Sequence, residues 1–202
     1  MKYLNDGKLK VNIHANMNTT VGFPIEKAAL PRRELRSFGE ETKQFSDVVL
    51  KVDDRKFYVS KLYLSSQSPY FVTLFLGAFQ ESGKSEIELK DIDPQDFQCY
   101  LEVLYGENGI DEDSVEGILE VSDMYDTPLS VKKCEEFLID QSKMKLKKKL
   151  ELAGKYRLEE LKKMCLNQIQ TVADIRAVIP LDSSEMDHGI LAKLFDKLLD
   201  FH

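Results

Sequence analysis

The hydrophobic period changes at Lys61, and this change restricts the fold more than any other feature of the chain. Before it, Val48, Leu50 and Val52 alternate with Val49 and Lys51, Asp53-Asp54 makes a tight turn, and Phe57 and Val59 restart the alternation. Two period-two runs around a two-residue acidic turn predict a β-hairpin. After Lys61 the spacing is helical. Two short apolar helices are expected over 61–66 and 69–76, split at Ser68-Pro69, because proline suits a first helical position. Period two returns briefly from Ser85 to Lys90, with Ile87 and Leu89 on one face. Asp93-Pro94 then opens a helix in which Phe97, Tyr100, Leu101 and Leu104 share a face, and Gly106 stops it. From Asp113 onward the stripes are helical: Val115, Ile118, Leu119, Ser122 and Tyr125; Val131, Cys134, Phe137 and Leu138; Leu158, Leu161, Cys165 and Ile169; Leu191, Leu194, Phe195 and Leu198, the last set after a break at Asp182-Ser183-Ser184. A few short strands followed by a run of helices is an α+β pattern.

Ahead of the hairpin, Leu9, Val11, Ile13 and Ala15 alternate with polar residues and predict one more strand. Its neighbours, with Pro24 and Pro31, read as loop, so this strand needs a partner surface. Charge divides the chain in the same places. The formal charge of −7 hides +3 over residues 1–44, −13 over 45–142, +6 over 143–163 and −3 over 164–202. Sign changes of this size suggest segment boundaries near 44 and 142. The acidic total argues against a general nucleic-acid binder. No apolar stretch approaches the roughly 18 residues of a membrane span, and the first residues lack the apolar block of a secretory signal. Cys99, Cys134 and Cys165 are odd in number and unpaired in spacing, as expected of reduced thiols in the cytoplasm, the nucleus or both.

The supply of catalytic groups is poor, so the expectation is no enzyme and no cofactor. No Cys or His pair has zinc-ligand spacing, and no glycine-rich phosphate loop occurs. Asp111-Glu112-Asp113 lacks calcium-loop spacing. Cys99 and Cys165 fall on helix stripes without a nearby base. Interaction features are better supplied. Phe57 to Leu64 is apolar at nearly every position through the start of a helix, which suits a helix covered on one side by its own core and on the other by a second subunit, or a central helix of a monomer. Phe79-Gln80-Glu81 puts an aromatic beside an acid in a loop, either as an exposed anchor or folded back on the domain. Lys143, Lys145, Lys147, Lys148 and Lys149 form a basic run that reads as a solvated helix face or as an import or nucleic-acid patch. Shifting 119–138 by 31 residues superposes Leu119, Glu120, Tyr125, Lys132 and Cys134 on Leu150, Glu151, Tyr156, Lys163 and Cys165. Two helical hairpins with one packing pattern, or a short stacked repeat, would produce this echo.

The order and the words together resemble the BTB/POZ domain. Phe45-Ser46-Asp47-Val48 resembles the family's opening strand, Val59-Ser60-Lys61 through Ser68-Pro69-Tyr70-Phe71 its first two helices, Ile87-Glu88-Leu89 through Asp96-Phe97 its third strand and next helix, and Leu101 to Gly106 that helix's ending. Ser60 departs from the histidine usual there, and a small polar residue still fits a helix start. The resemblance covers about 45–140. Tyr3 to Val11 looks like the last strand of a MATH domain, which precedes BTB in the MATH-BTB adaptor family, and 142–202 looks like the three-box or BACK-like helical extension that follows it. The organisation implied is a MATH remnant and linker over 1–44, a BTB/POZ domain over 45–141 and a helical extension over 142–202.

The resemblance implies a dimeric adaptor for a cullin-3 RING ubiquitin ligase, which supplies proximity and no chemistry of its own. The family's cullin-contact motif falls on Phe79, Gln80 and Glu81. Its charged pocket near the dimer seam carries over to Asp47 and Lys61, and its dimer contacts to Leu62, Tyr63 and Leu64. Implied partners are cullin-3, a second copy or a related BTB protein, and a substrate protein of unknown identity. A non-ligase scaffold that pairs with full-length MATH-BTB relatives is the alternative. A transcriptional regulator is disfavoured by the lack of zinc-finger spacing.

Overall fold

A computed structural model describes residues 34–77, 84–180 and 186–200. The expected strand at Leu9–Ala15, the Phe79-Gln80-Glu81 motif and the Asp182-Ser183-Ser184 break lie outside these residues. Strand β1 (Val48–Val52) forms the centre of a three-stranded sheet, with β2 (Arg55–Val59) antiparallel on one side and β3 (Glu86–Leu89) parallel on the other. Leu50 lies opposite Phe57 and Ile87. Val48, Leu50 and Val52 all turn inward, as period two requires. Asp53 takes a left-handed conformation at the hairpin (φ 49°), which aspartate tolerates better than most residues.

Between β2 and β3 the chain runs through helix α1 (Lys61–Gln67) and helix α2 (Pro69–Leu76). Ser60 Oγ accepts the Tyr63 N–H, and Asp47 Oδ1 accepts the Lys61 N–H at 2.7 Å. Ser68 is fully buried; it caps α2 by accepting the Phe71 N–H at 3.2 Å and donates its own proton to the Tyr125 carbonyl. Helix α3 (Pro94–Leu104) starts where Asp93 Oδ1 accepts the Gln95 and Asp96 N–H groups, and Gly106 follows its end at φ 91°.

Every residue of α3 from Phe97 to Leu104 is buried. Phe97, Tyr100, Leu101 and Leu104 face a core shared with the sheet, α1 and α2, whereas Cys99 and Val103 face a second core. α3 is thus buried on all sides within the chain, whereas α1, expected to have one face in its own core and the other on a second subunit, or to be a central helix, has one buried face. In α1 only Leu64 is fully buried.

The second core is made by helices α4 (Val115–Met124), α5 (Pro128–Asp140), α6 (Leu146–Lys155), α7 (Glu159–Gln168), α8 (Val172–Val178) and α9 (His188–Asp200). The 31-residue echo has a structural counterpart. α4 ends with Tyr125, a left-handed Asp126 (φ 45°) and a Thr127 N–H to Ser122 carbonyl bond. α6 ends with Tyr156, a left-handed Arg157 (φ 55°) and a Leu158 N–H to Ala153 carbonyl bond. In both, the i to i−5 bond closes a Schellman-type end that turns the chain into the next helix. Cys134 and Cys165 occupy matching, fully buried places on α5 and α7. Helix α8 has no counterpart among the stripes read from sequence, although its capping box is visible: Thr171 and Asp174 each accept the other's backbone N–H.

Candidate protein-interaction surface

Two short helices carry the exposed apolar residues of the sheet region. On α1, Leu62 is 80% exposed although its backbone is fixed by two caps. Phe45, at the end of a 3-10 turn (Glu40–Phe45), is 79% exposed and lies two residues before Asp47, the cap of α1. The resemblance put Phe45 in the opening strand; the strand begins at Val48. On α2, Val72 and Leu76 stand one turn apart and are open to solvent, Leu76 by 72%. Solitary exposed apolar residues are ordinary, whereas two on capped helix faces present a constrained apolar surface.

The residues that the resemblance puts at a dimer seam divide by role. Asp47 is exposed and serves as a cap. Lys61 donates from Nζ to the Lys84 carbonyl (3.4 Å) and lies 5.9 Å from the Phe75 ring centre, tying the start of α1 to the segment entering β3. Tyr63 is half-buried; its hydroxyl donates to the Leu104 carbonyl and its ring lies 4.5 Å from that of Tyr105. Leu64 turns into the chain's own core. Of the five, Leu62 is the apolar side chain free to meet a partner. Phe79, Gln80 and Glu81, where the resemblance puts the cullin contact, lie outside the described residues, a few positions beyond Leu76 in sequence.

Among the described residues no group of His, Cys, Asp and Glu is placed to hold a metal ion, and no helix is long and apolar enough to cross a membrane. The three thiols are buried. Burial pushes Cys134 up to about 12 and Cys165 up to about 11, far from the thiolate that a nucleophile needs. The basic run is spent on structure in part, while Lys143, Lys145 and Lys147 stay exposed. Lys148 pairs with Glu116 and Glu151 at about 3 Å, and Lys143 donates its N–H to Glu112. Lys149, expected on a solvated face or a patch, is buried and donates to the Ser142 carbonyl at 2.9 Å.

A hairpin, a third strand and two short helices split at Ser68-Pro69, followed by an amphipathic helix, are the order that the sequence words anticipated. The BTB/POZ domain family matches residues 37–142. The chain belongs to that family. BTB/POZ domains are protein-interaction modules, and proteins that carry one are similar to this chain well beyond the domain. "BTB and MATH domain-containing protein 15" of Caenorhabditis elegans is 51% identical over 138 residues, covering 68% of this chain and 50% of its own length. "BTB and MATH domain-containing protein 45" of the same organism is 42% identical over 173 residues, 86% of this chain and 36% of its own. The chain therefore spans half or less of the length of these curated relatives. "Kelch-like protein 40" of Xenopus laevis is 39% identical over 95 residues, 46% of this chain and 16% of its own.

Sequence reasoning missed Val72 and Leu76, whose signal was present: an apolar helix whose hydrophobic residues exceed what one inward face can hold. It also missed the segment Glu34–Phe38, assigned to the linker. That segment is docked on α3 and β2. Its signal was a glutamine and a glutamate one turn apart in the otherwise apolar stretch Phe97–Leu104 of α3.

Proposed function

We propose that this chain is a dimeric adaptor that brings substrate proteins to a cullin-3 RING ubiquitin ligase. The observation that carries the proposal is the pair of exposed apolar faces on capped short helices, Leu62 on α1 and Val72 with Leu76 on α2. The α1 face, with Phe45 nearby, suits a two-fold contact with a second copy or a related BTB protein. The α2 face leads toward Phe79, Gln80 and Glu81, where the resemblance puts the cullin contact. The adaptor contributes proximity, and the bond-making groups belong to its partners.

Sedimentation of the full chain across dilution tests the first half. Leu62→Glu is expected to yield a folded monomer, because Leu62 takes no part in the chain's own core, with a melting temperature lowered only by the loss of the partner and no longer dependent on concentration. A Leu62→Glu dimer would reject the α1 seam. A cullin-3 pull-down tests the second half. Phe79→Ala with Glu81→Ala is expected to abolish capture without changing the dimer. A wild-type dimer that captures no cullin-3 would replace the ligase reading with that of a scaffold pairing with full-length relatives.

A further inference from the structure

Helix α3 has a third face. Gln98 and Glu102, one turn apart, are 0% and 2% exposed, yet neither aromatic nor aliphatic core accounts for them. They are covered by the segment Glu34–Phe38, which bends at Leu35 and Arg36. Glu102 Oε1 accepts the Leu35 N–H at 2.8 Å and faces the Arg36 N–H at 3.5 Å. Gln98 Nε2 donates to the Arg36 carbonyl at 2.7 Å and to Glu102 Oε1 at 2.9 Å. Gln98 Oε1 accepts from the Arg55 guanidinium at 3.0 Å, and the same guanidinium holds Glu34 at 2.8 Å.

The segment is fastened at both ends. Arg36 lies 4.8 Å from the Tyr105 ring centre and 3.7 Å from Glu107. Phe38 is buried edge-on against Tyr105, and its carbonyl accepts the Tyr58 N–H at 2.8 Å from the outer edge of β2. Burying a polar side chain without partners costs several kcal/mol, so apolar residues would be favoured at 98 and 102 if they faced only the cores. Their polarity matches the backbone groups of 35 and 36, which have no strand or helix to satisfy them.

We propose that Gln98 and Glu102 are a clasp that fixes where the chain enters the BTB/POZ unit. The clasp holds Glu34–Phe38 as a strap, so whatever precedes Glu34 is tethered at α3 rather than at the 3-10 turn. Freeing five residues would lengthen that tether by about 17 Å at full extension. A longer tether lowers the effective concentration of a linked module at a fixed target. The clasp is therefore a reach-setting device for any module joined before residue 34. It concerns this chain alone and stands whether or not cullin-3 is the partner.

Hydrogen exchange on the full chain, read at single amides, tests the clasp. In the wild type the Leu35 and Arg36 amides are expected to exchange at least tenfold more slowly than free chain. Glu102→Ala is expected to remove that protection while the β1–β2 ladder amides keep theirs, and Glu102→Gln, which retains an accepting oxygen, to fall between. Leu35→Pro deletes a strap donor without touching α3, and is expected to speed tryptic cleavage after Arg36 at least tenfold; it serves if Glu102→Ala does not fold. Free-chain exchange at Leu35 and Arg36 in the wild type would overturn the clasp. So would unchanged Arg36 cleavage in Leu35→Pro.

Discussion

The two cores on either side of α3 are made of different materials. The sheet side is aromatic: Phe38, Phe57, Phe71, Phe75, Phe97, Tyr100 and Tyr125 meet there. Phe57 and Phe97 pack edge to face at 5.0 Å, Phe71 stacks on Phe75 at 5.5 Å, and Tyr125 lies 5.1 Å from Phe71. The helical side is aliphatic, with Leu119, Leu150, Leu161, Ile169, Ile175 and Leu194 around Cys99, Cys134 and Cys165. Short strands and two-turn helices leave wide, irregular gaps that large rings fill. Stacked hairpins present regular ridges that leucine and isoleucine fill. The aromatic core also joins residues far apart in sequence, whereas each helical hairpin packs mostly on its neighbour, so loss of the first should disturb the fold more.

The largest effect is therefore expected at Phe97, fully buried where the rings converge. Phe97→Ala should cost about 3–5 kcal/mol, measured by urea unfolding, since it removes a ring and leaves a cavity. Cys134 and Cys165 report whether the cores open together. If α3 couples them, alkylation of both thiols in Phe97→Ala should accelerate in step with the lost stability. Unchanged alkylation would mean that the helical side holds on its own.

A smaller break is available on the helical side. Gly154 on α6 lies against the start of α9: an added Cβ would come within 2.7 Å of the Asp187 side chain and 3.3 Å of Ile190. Asp187 caps α9 by accepting the Ile190 N–H at 3.0 Å. Gly154→Ala should cost about 1–3 kcal/mol through overpacking, offset slightly by better helix propensity. A melting temperature at or above the wild type would show that α9 shifts freely and that the aliphatic core is the softer of the two.

The same contrast decides what was legible from sequence. The hairpin, the start of α2 at Pro69 and the start of α3 after Asp93 could be read because each rests on local chemistry, a turn or a cap within a few residues. The echo at 31 residues was legible for the same reason: α4 and α6 end in the same hydrogen-bonded turn. Burial was legible only on one face at a time. The strap that buries Gln98 and Glu102 arrives from more than sixty residues away, so no stripe on α3 names it. The candidate surface was read from family words more than from physics. Asp47 and Lys61 carry legible charges, but their partners are a backbone N–H and a carbonyl that no side-chain pattern announces.

The finest test sets one carboxyl from each region against the other. Asp96, near the start of α3, sits over Gly117 of α4, and burial, with Asp93 and Glu120 nearby, raises it above its usual 3.8. The folded state thus binds its proton more tightly than the unfolded chain. Asp96 works against folding at neutral pH, and that penalty fades as pH falls through its folded value toward 3.8. Asp174, in the capping box of α8, is held below 3.8 by the Thr171 hydroxyl and by the Gln170 and Thr171 N–H groups. Its contribution is present above 3.8 and is lost as pH falls through the lowered folded value. Asp96→Asn should therefore raise the melting temperature at pH 7, by less than about 1 kcal/mol of stability, and the gain should shrink in acid. Asp174→Asn should lower it at pH 7, and that loss too should shrink in acid. Two shifts of the same sign at neutral pH would mean that the hydrogen bonds around one of these carboxyls are not those of the native fold.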